Sequence, residues 1–231
     1  KHVVPLGNSK FPIHSAPHLT VLCKNEKGYD NLCKLLNIAW NEGFYICPTL
    51  SFEQLAEFGE GLIVLSGCPG CEIAKHFMRG NHEAAAEVIM KYHHQFGEDY
   101  YLEIIRNGFD EKLESAYSDF LIDVGKKHSI KVVATNDVHR CDEEDSSKIE
   151  KLLEANFGNM AKMIPLPTND WMKSEMEILS QFSDCPEAIS ATDEIVSKIE
   201  TFEVPKWTAP SPRWNEEDYL KTLKDCQNLI D

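Results

Sequence analysis

Four short apolar runs rich in β-branched residues constrain this chain most: Leu19–Cys23, Leu62–Leu65, Tyr100–Ile105 and Ile130–Thr135. Each is followed by apolar residues at helical spacing. Strand then helix, repeated, is the signature of βα units and predicts an α/β protein with a largely parallel sheet. After the first run, Leu32, Leu35, Leu36 and Ala39 recur at helical spacing between Glu26 and Trp40. Ser51-Phe-Glu-Gln54 has the spacing of a capping box, and Asn81 is placed to cap a helix reaching Phe96. Another helix is predicted over Asp110 to Lys127, facing inward with Leu113, Tyr117, Phe120, Leu121 and Val124. From Asp142 the pattern is mostly helical, broken at Pro165-Leu-Pro167. Val204 to Trp214 carries three prolines and should be extended, and a last helix is predicted over Asn215 to Ile230.

Four βα units are about half of a (β/α)8 barrel. The chain is therefore expected to be either a small open sheet or the later part of a barrel whose first strands are missing. It starts at Lys1 without a Met and ends at Asp231 inside a helical pattern, so a segment of a longer protein is expected.

Charge narrows the function classes. With 23 Lys and Arg against 38 Asp and Glu, the net charge is −15, which argues against a surface that coats duplex DNA. Contact with nucleic acid would be local or mediated by metal. Apolar runs are only a few residues long, so no membrane span is expected. The opening KHVVPLGNSKFPIH lacks an apolar h-region, so we expect no signal peptide and a cytoplasmic protein. The eight cysteines are scattered, as expected of mostly reduced, buried thiols. Neither a phosphate-binding GxxxxGK[ST], a GxGxxG after a strand, a GxSxG nor an HExxH occurs.

Chemistry concentrates just past the strand ends. In Ile130-Lys-Val-Val-Ala-Thr-Asn-Asp-Val-His139 a buried strand runs into Asp137 and His139. In extended backbone these two lie on the same side and could share one ion, as suits Zn, Mn or Fe. The alternative is an Asp–His hydrogen-bonded turn without metal. In Leu65-Ser-Gly-Cys68-Pro-Gly-Cys71 a cysteine again follows a strand. Cys68 could be a ligand, Cys68 and Cys71 could form a thioredoxin-like redox pair, or both could be inert. His18, just before the first strand, reads on its own as a surface residue. Glu103, inside an apolar strand, either faces solvent by alternation or supports a polar site from behind.

Taken together, His18-Leu-Thr-Val-Leu-Cys-Lys-Asn-Glu-Lys-Gly-Tyr-Asp-Asn-Leu, Glu42-Gly-Phe-Tyr, Leu65-Ser-Gly-Cys68, Tyr101-Leu-Glu and Ala134-Thr-Asn-Asp-Val-His139 resemble one family. It is the polymerase-and-histidinol-phosphatase (PHP) domain of bacterial DNA polymerase III alpha subunits. Met172-Lys-Ser-Glu-Met, Phe182, Pro186-Glu-Ala and Thr192-Asp-Glu-Ile resemble the segment leaving that domain, and Tyr219-Leu resembles the approach to the palm.

The resemblance implies a partial, distorted (β/α)7 PHP-type barrel with its first strands missing, followed by a helical exit segment. It implies a partial PHP domain over 1–200, a Pro- and Trp-containing linker over 201–214, and the start of a palm-side segment over 215–231. His18, Cys68, Asp137 and His139 fall on the family's metal-ligand positions, for Zn, Mn or Mg and up to three ions. The implied function is that of a replicative polymerase fragment whose PHP domain is a metal-dependent phosphoesterase, a 3′–5′ exonuclease. The alternatives are a degenerate scaffold that docks a separate proofreading exonuclease, and a thiol oxidoreductase using Cys68 and Cys71. The implied partners are DNA, a proofreading subunit and other replisome subunits, with no membrane; the isolated fragment is expected to be inactive. The family's opening His-x-His strand, the Asp/His motif after it and the Glu of its third strand do not occur here, and Cys71 stands where the family usually has Gly.

Overall fold

The structure, a computed structural model, describes residues 16–44, 47–163 and 166–204, without the side chains of 162 and 163. The four apolar runs become β1 (Thr20–Cys23), β2 (Leu62–Leu65), β3 (Tyr100–Ile105) and β4 (Val132–Thr135), which form one sheet in the order β1-β2-β3-β4. Between them lie α1 (Glu26–Asn41), α2 (Phe52–Glu57), α3 (Glu72–Phe77), α4 (His82–Phe96) and α5 (Glu111–His128). After β4 come α6 (Ser146–Phe157), a 3₁₀ stretch (Gly158–Met163), α7 (Glu175–Gln181) and α8 (Pro186–Lys198).

Local chemistry starts these helices where the sequence suggests. Ser51 and Gln54 complete a reciprocal capping box at α2, satisfying two backbone donors that would otherwise be orphaned. Asn81 accepts from Ala84 N to open α4, and Asp110 accepts from Leu113 N to open α5. On α5, Tyr117, Leu121 and Val124 are buried and Leu113 and Phe120 pack against the core, as the periodicity predicts.

Strand alternation divides the sheet into two faces. Val64, Tyr100, Leu102 and Ile104 pack under α3, α4 and α5, and Leu62 packs with Leu35 of α1 and Leu55 of α2. Each such Leu or Ile, removed from water, contributes about 1.5–3 kcal/mol. The opposite face carries Ile63, Leu65, Tyr101 and Val133, covered by Ala191 and Ile195 of α8. There α8 is tied down by polar contacts as well: Tyr101 Oη donates to Glu194 at 2.7 Å, and Lys131 pairs with the same carboxylate at 2.7 Å.

The expectation of a largely parallel sheet needs one correction. β2, β3 and β4 are parallel, with Leu65 opposite Tyr101 and Glu103 opposite Val133, but β1 runs antiparallel to β2, Thr20 facing Leu65. A parallel crossover must carry the chain to the far end of the sheet. Here α1 and α2 leave and return at the same end: Lys24 N, just past β1, donates to Gly61 O, just before β2, at 2.8 Å. Asn25, which caps α1 by accepting from Gly28 N at 3.0 Å, sits at that junction. A Cβ on Gly28 would lie 1.9 Å from the Gly61 carbonyl oxygen, so only glycine lets the helix seat there.

Among the described residues the sheet has four strands, and β1 and β4 each pair on one side only. Of the expected linker and palm-side segment, only 201–204 are described. Glu200 N donates to Lys24 O at 2.8 Å and the Phe202 ring lies 5.9 Å from that of Tyr29, so the exit of α8 returns to the β1–α1 junction. The rest, 205–231, lies outside the described residues.

Candidate metal centre

The antiparallel β1 decides the fate of His18. A residue before a parallel strand would lie at the wrong end of the sheet. Because β1 is reversed, its entrance lies beside the exit of β2, and His18 Nδ1 comes within 3.4 Å of Cys68 Sγ. Gly67 makes this approach possible: its φ is +90°, and a Cβ there would sit 2.7 Å from the His18 carbonyl oxygen. His18 N donates to Gly70 O at 3.4 Å, closing the loop around the pair.

Asp137 and His139 lie past the end of β4. Asp137 has φ +46°, the left-handed region that Asp tolerates better than most residues. His139 Nδ1 is 2.6 Å from the Asp137 backbone oxygen and 4.0 Å from its carboxylate. A strap from the chain beyond α6 holds this loop. His139 N donates to Asp170 O at 2.9 Å, and Asn136 Nδ2 donates to Trp171 O at 2.8 Å. The buried guanidinium of Arg140 binds the buried Asp170 carboxylate through Nε at 2.5 Å, and reaches Ser146 and the Pro167 carbonyl.

Glu103 sits between the two pairs and resolves the ambiguity of its apolar strand. It is only 6% exposed. Its carboxylate accepts from Thr20 Oγ1 at 3.1 Å, from Gly67 N at 3.1 Å and from Thr135 Oγ1 at 2.7 Å. Burial pushes its carboxyl above the ordinary carboxylate value, against the pull of these hydrogen bonds, and the Asp137 charge adds to the rise. Burial likewise pushes the Cys68 thiol up, with Asp137 and Glu103 adding to it. Asp137 is thus near enough for both Cys68 and Glu103 to feel its charge.

The four expected ligands therefore gather as two pairs, His18 with Cys68 and Asp137 with His139. Among the described residues no three His, Cys, Asp or Glu side chains close around one point. The donor types, one thiolate, two imidazoles and a carboxylate, suit a divalent transition metal. Cys71 has gone elsewhere. It is 1% exposed and caps α3, its sulfur accepting from Ala74 N at 3.3 Å and lying 3.4 Å from Tyr117 Oη in the core. Both thiols are free. Sequence reading alone missed Thr20, Gly67 and Thr135, and the Arg140–Asp170 strap. The available signal was that Thr20 and Thr135 stand two residues from His18 and Asp137 in the sequence.

Residues 8–107 match the PHP domain family, and the mixed α/β fold with its four-stranded sheet is compatible with that family. The chain carries a PHP domain of the DNA polymerase III alpha kind. It is 32% identical over 199 residues to the DNA polymerase III subunit alpha of Borreliella burgdorferi, covering 84% of this chain and 17% of that protein. The subunit alpha of Escherichia coli K12 is 32% identical over 214 residues, covering 88% of this chain and 18% of that protein. That of Aquifex aeolicus is 30% identical over 227 residues, covering 89% and 19%. The chain thus spans less than a fifth of the length of these relatives. No helix among the described residues is long and apolar enough to cross a membrane.

Proposed function

We propose that the chain is the PHP portion of a cytoplasmic replicative DNA polymerase alpha subunit and that its site holds divalent metal for phosphodiester hydrolysis, as a 3′–5′ exonuclease. In this reading 1–200 is the partial PHP-type barrel, 201–214 the linker and 215–231 the start of the palm-side segment. DNA, a proofreading subunit and other replisome subunits are its partners. The observation that carries it is the 3.4 Å approach of His18 to Cys68 at the sheet end that also bears Asp137 and His139. His18, Cys68, Asp137 and His139 would hold Zn, Mn or Mg. Bound ions would supply hydroxide at neutral pH and offset phosphate charge. That supplies the positive charge a chain of −15 lacks. The open rim, with His18 and His139 exposed, leaves a strand end room to approach.

A second reading, a degenerate scaffold that docks a separate exonuclease, is favoured by the absence of a closed donor cluster among the described residues. Against a thiol oxidoreductase stands the packing of Cys71, whose sulfur is committed to the α3 cap and the core.

Metal content of the full protein, with hydrolysis of 3′-labelled single-stranded DNA, separates the three. Cys68→Ser should lower metal retention by about tenfold or more, together with hydrolysis, while Cys71→Ala should leave both at the wild-type level. A folded wild-type protein without metal or hydrolysis would favour the scaffold. A dominant Cys68–Cys71 disulfide under mild oxidation, with no metal on the reduced protein, would move the thiol reading to first place.

A further inference from the structure

We propose that Glu103 is the positioning residue of the candidate metal centre, its single carboxylate fixing the relative placement of the three chain segments that carry His18, Cys68 and Asp137. The inference rests on the metal-site reading above and adds to it the device that holds the ligands in register.

Burying a carboxylate costs several kcal/mol unless it is well hydrogen-bonded. Its neighbours on the same face of β3, Tyr101 and Ile105, are buried hydrophobics, so filling space there needs no charge. What the carboxylate does is visible in its three donors. Thr20 is two residues after His18, Gly67 immediately precedes Cys68, and Thr135 is two residues before Asp137. Oε2 accepts from Thr20 and from Gly67 N, and Oε1 accepts from Thr135. One rigid, planar group therefore touches β1, the exit of β2 and the end of β4 together.

Backbone pairing does only part of this work: Thr20 faces Leu65 and Thr135 faces Ile105, but pairing between β2 and β3 ends before the loop that bears Cys68. The β2–β3 ladder stops at Leu65 opposite Tyr101, two residues short of Glu103. Beyond that point Ser66 N donates to Tyr101 O at 2.9 Å and Glu103 N donates to Ser66 Oγ at 2.8 Å. The loop bearing Cys68 is therefore held to β3 by Ser66 and by the Glu103 carboxylate. β1 and β4 are not neighbours in the sheet, and Glu103 bridges them across β2 and β3. A group of this kind touches no reacting atom; it acts through the ligands it aligns.

The test uses the full protein and cobalt(II) as the probe, because a cobalt–thiolate charge-transfer band reports Cys68 directly. Wild type should show that band, and Cys68→Ser should remove it. Glu103→Ala should weaken cobalt binding by about 10–100-fold, the usual effect of removing a group that orients a ligand, and should dim the band at saturating metal. Glu103→Gln should stay near wild type. Its amide oxygen can accept from Thr20 and Gly67, and the Thr135 hydroxyl can turn to accept from its amide nitrogen. Thr20→Val and Thr135→Val keep the side-chain shape, remove one donor each and should give intermediate losses even if Glu103→Ala folds poorly. A wild-type band that survives Glu103→Ala and both valine variants unchanged overturns the positioning role alone. Loss in Glu103→Gln equal to that in Glu103→Ala overturns it too, because charge rather than the clamp would then be what matters. A folded wild-type protein with no Cys68-dependent band overturns the metal reading, and this inference with it.

Discussion

Asp170→Ala is expected to destabilise the protein by about 3–5 kcal/mol, the cost of leaving a buried charge without its partner. Arg140 is 7% exposed and Asp170 4%, so bulk solvent does not screen the charge left behind. The guanidinium would keep Ser146 and the Pro167 carbonyl but lose the anion bound to its Nε and Nη2. Urea unfolding should show the loss as a lower midpoint at unchanged slope. Because a buried pair stabilises mainly relative to its broken form, replacing both members with apolar residues should cost less than Asp170→Ala alone. Arg140→Met with Asp170→Leu is the comparison to make. A single-variant loss below about 1 kcal/mol would place the pair among exposed ion pairs and refute the account. The same variant should also lower metal retention in the proposed site, since His139 N is held by the backbone of Asp170.

That strap marks where sequence reading stops. Local signals were legible: β2 and β3 match their apolar runs, and α2 begins at the Ser51–Gln54 capping box. Such features depend on residues a few positions apart, which spacing exposes. The Arg140–Asp170 pair spans 30 residues. Nothing local marks either member, for a charge next to His139 reads as solvated until its partner is seen. Glu103 was ambiguous for a related reason. Alternation places it opposite Leu102 and Ile104 but does not say whether that face is wet. Thr20, Gly67 and Thr135, from three separate stretches, make it dry and satisfied. The direction of β1 was the costliest omission. Repeated strand-and-helix patterns suggest parallel strands, and on that assumption His18 falls at the far end from Cys68. Reversal brings them to 3.4 Å, a contact that depends on how α1 and α2 return the chain.

Gly28→Ala tests that return directly, and its expected sign is opposite to the rule for helices. Gly28 lies in the first turn of α1, where alanine ordinarily stabilises by up to about 1 kcal/mol through its lower unfolded-state entropy. Here the new Cβ would fall 1.9 Å from the Gly61 carbonyl oxygen and 2.6 Å from its carbon, both backbone atoms that no side-chain rotation can move aside. Either α1 lifts away from the entrance of β2, or Gly61 shifts and the 2.8 Å bond from Lys24 N to Gly61 O is lost. The variant should therefore lose about 3 kcal/mol, at the upper end for overpacking a tight contact. Because that junction sets the antiparallel pairing of β1, a displaced strand would carry His18 away from Cys68 at its other end. Unfolding midpoints should record the stability loss. Cobalt binding to the surviving folded protein should record the second effect, as a weaker thiolate band than wild type at equal saturation. A Gly28→Ala protein as stable as wild type would mean that α1 can seat without this close approach. The junction would then cease to explain why β1 is reversed.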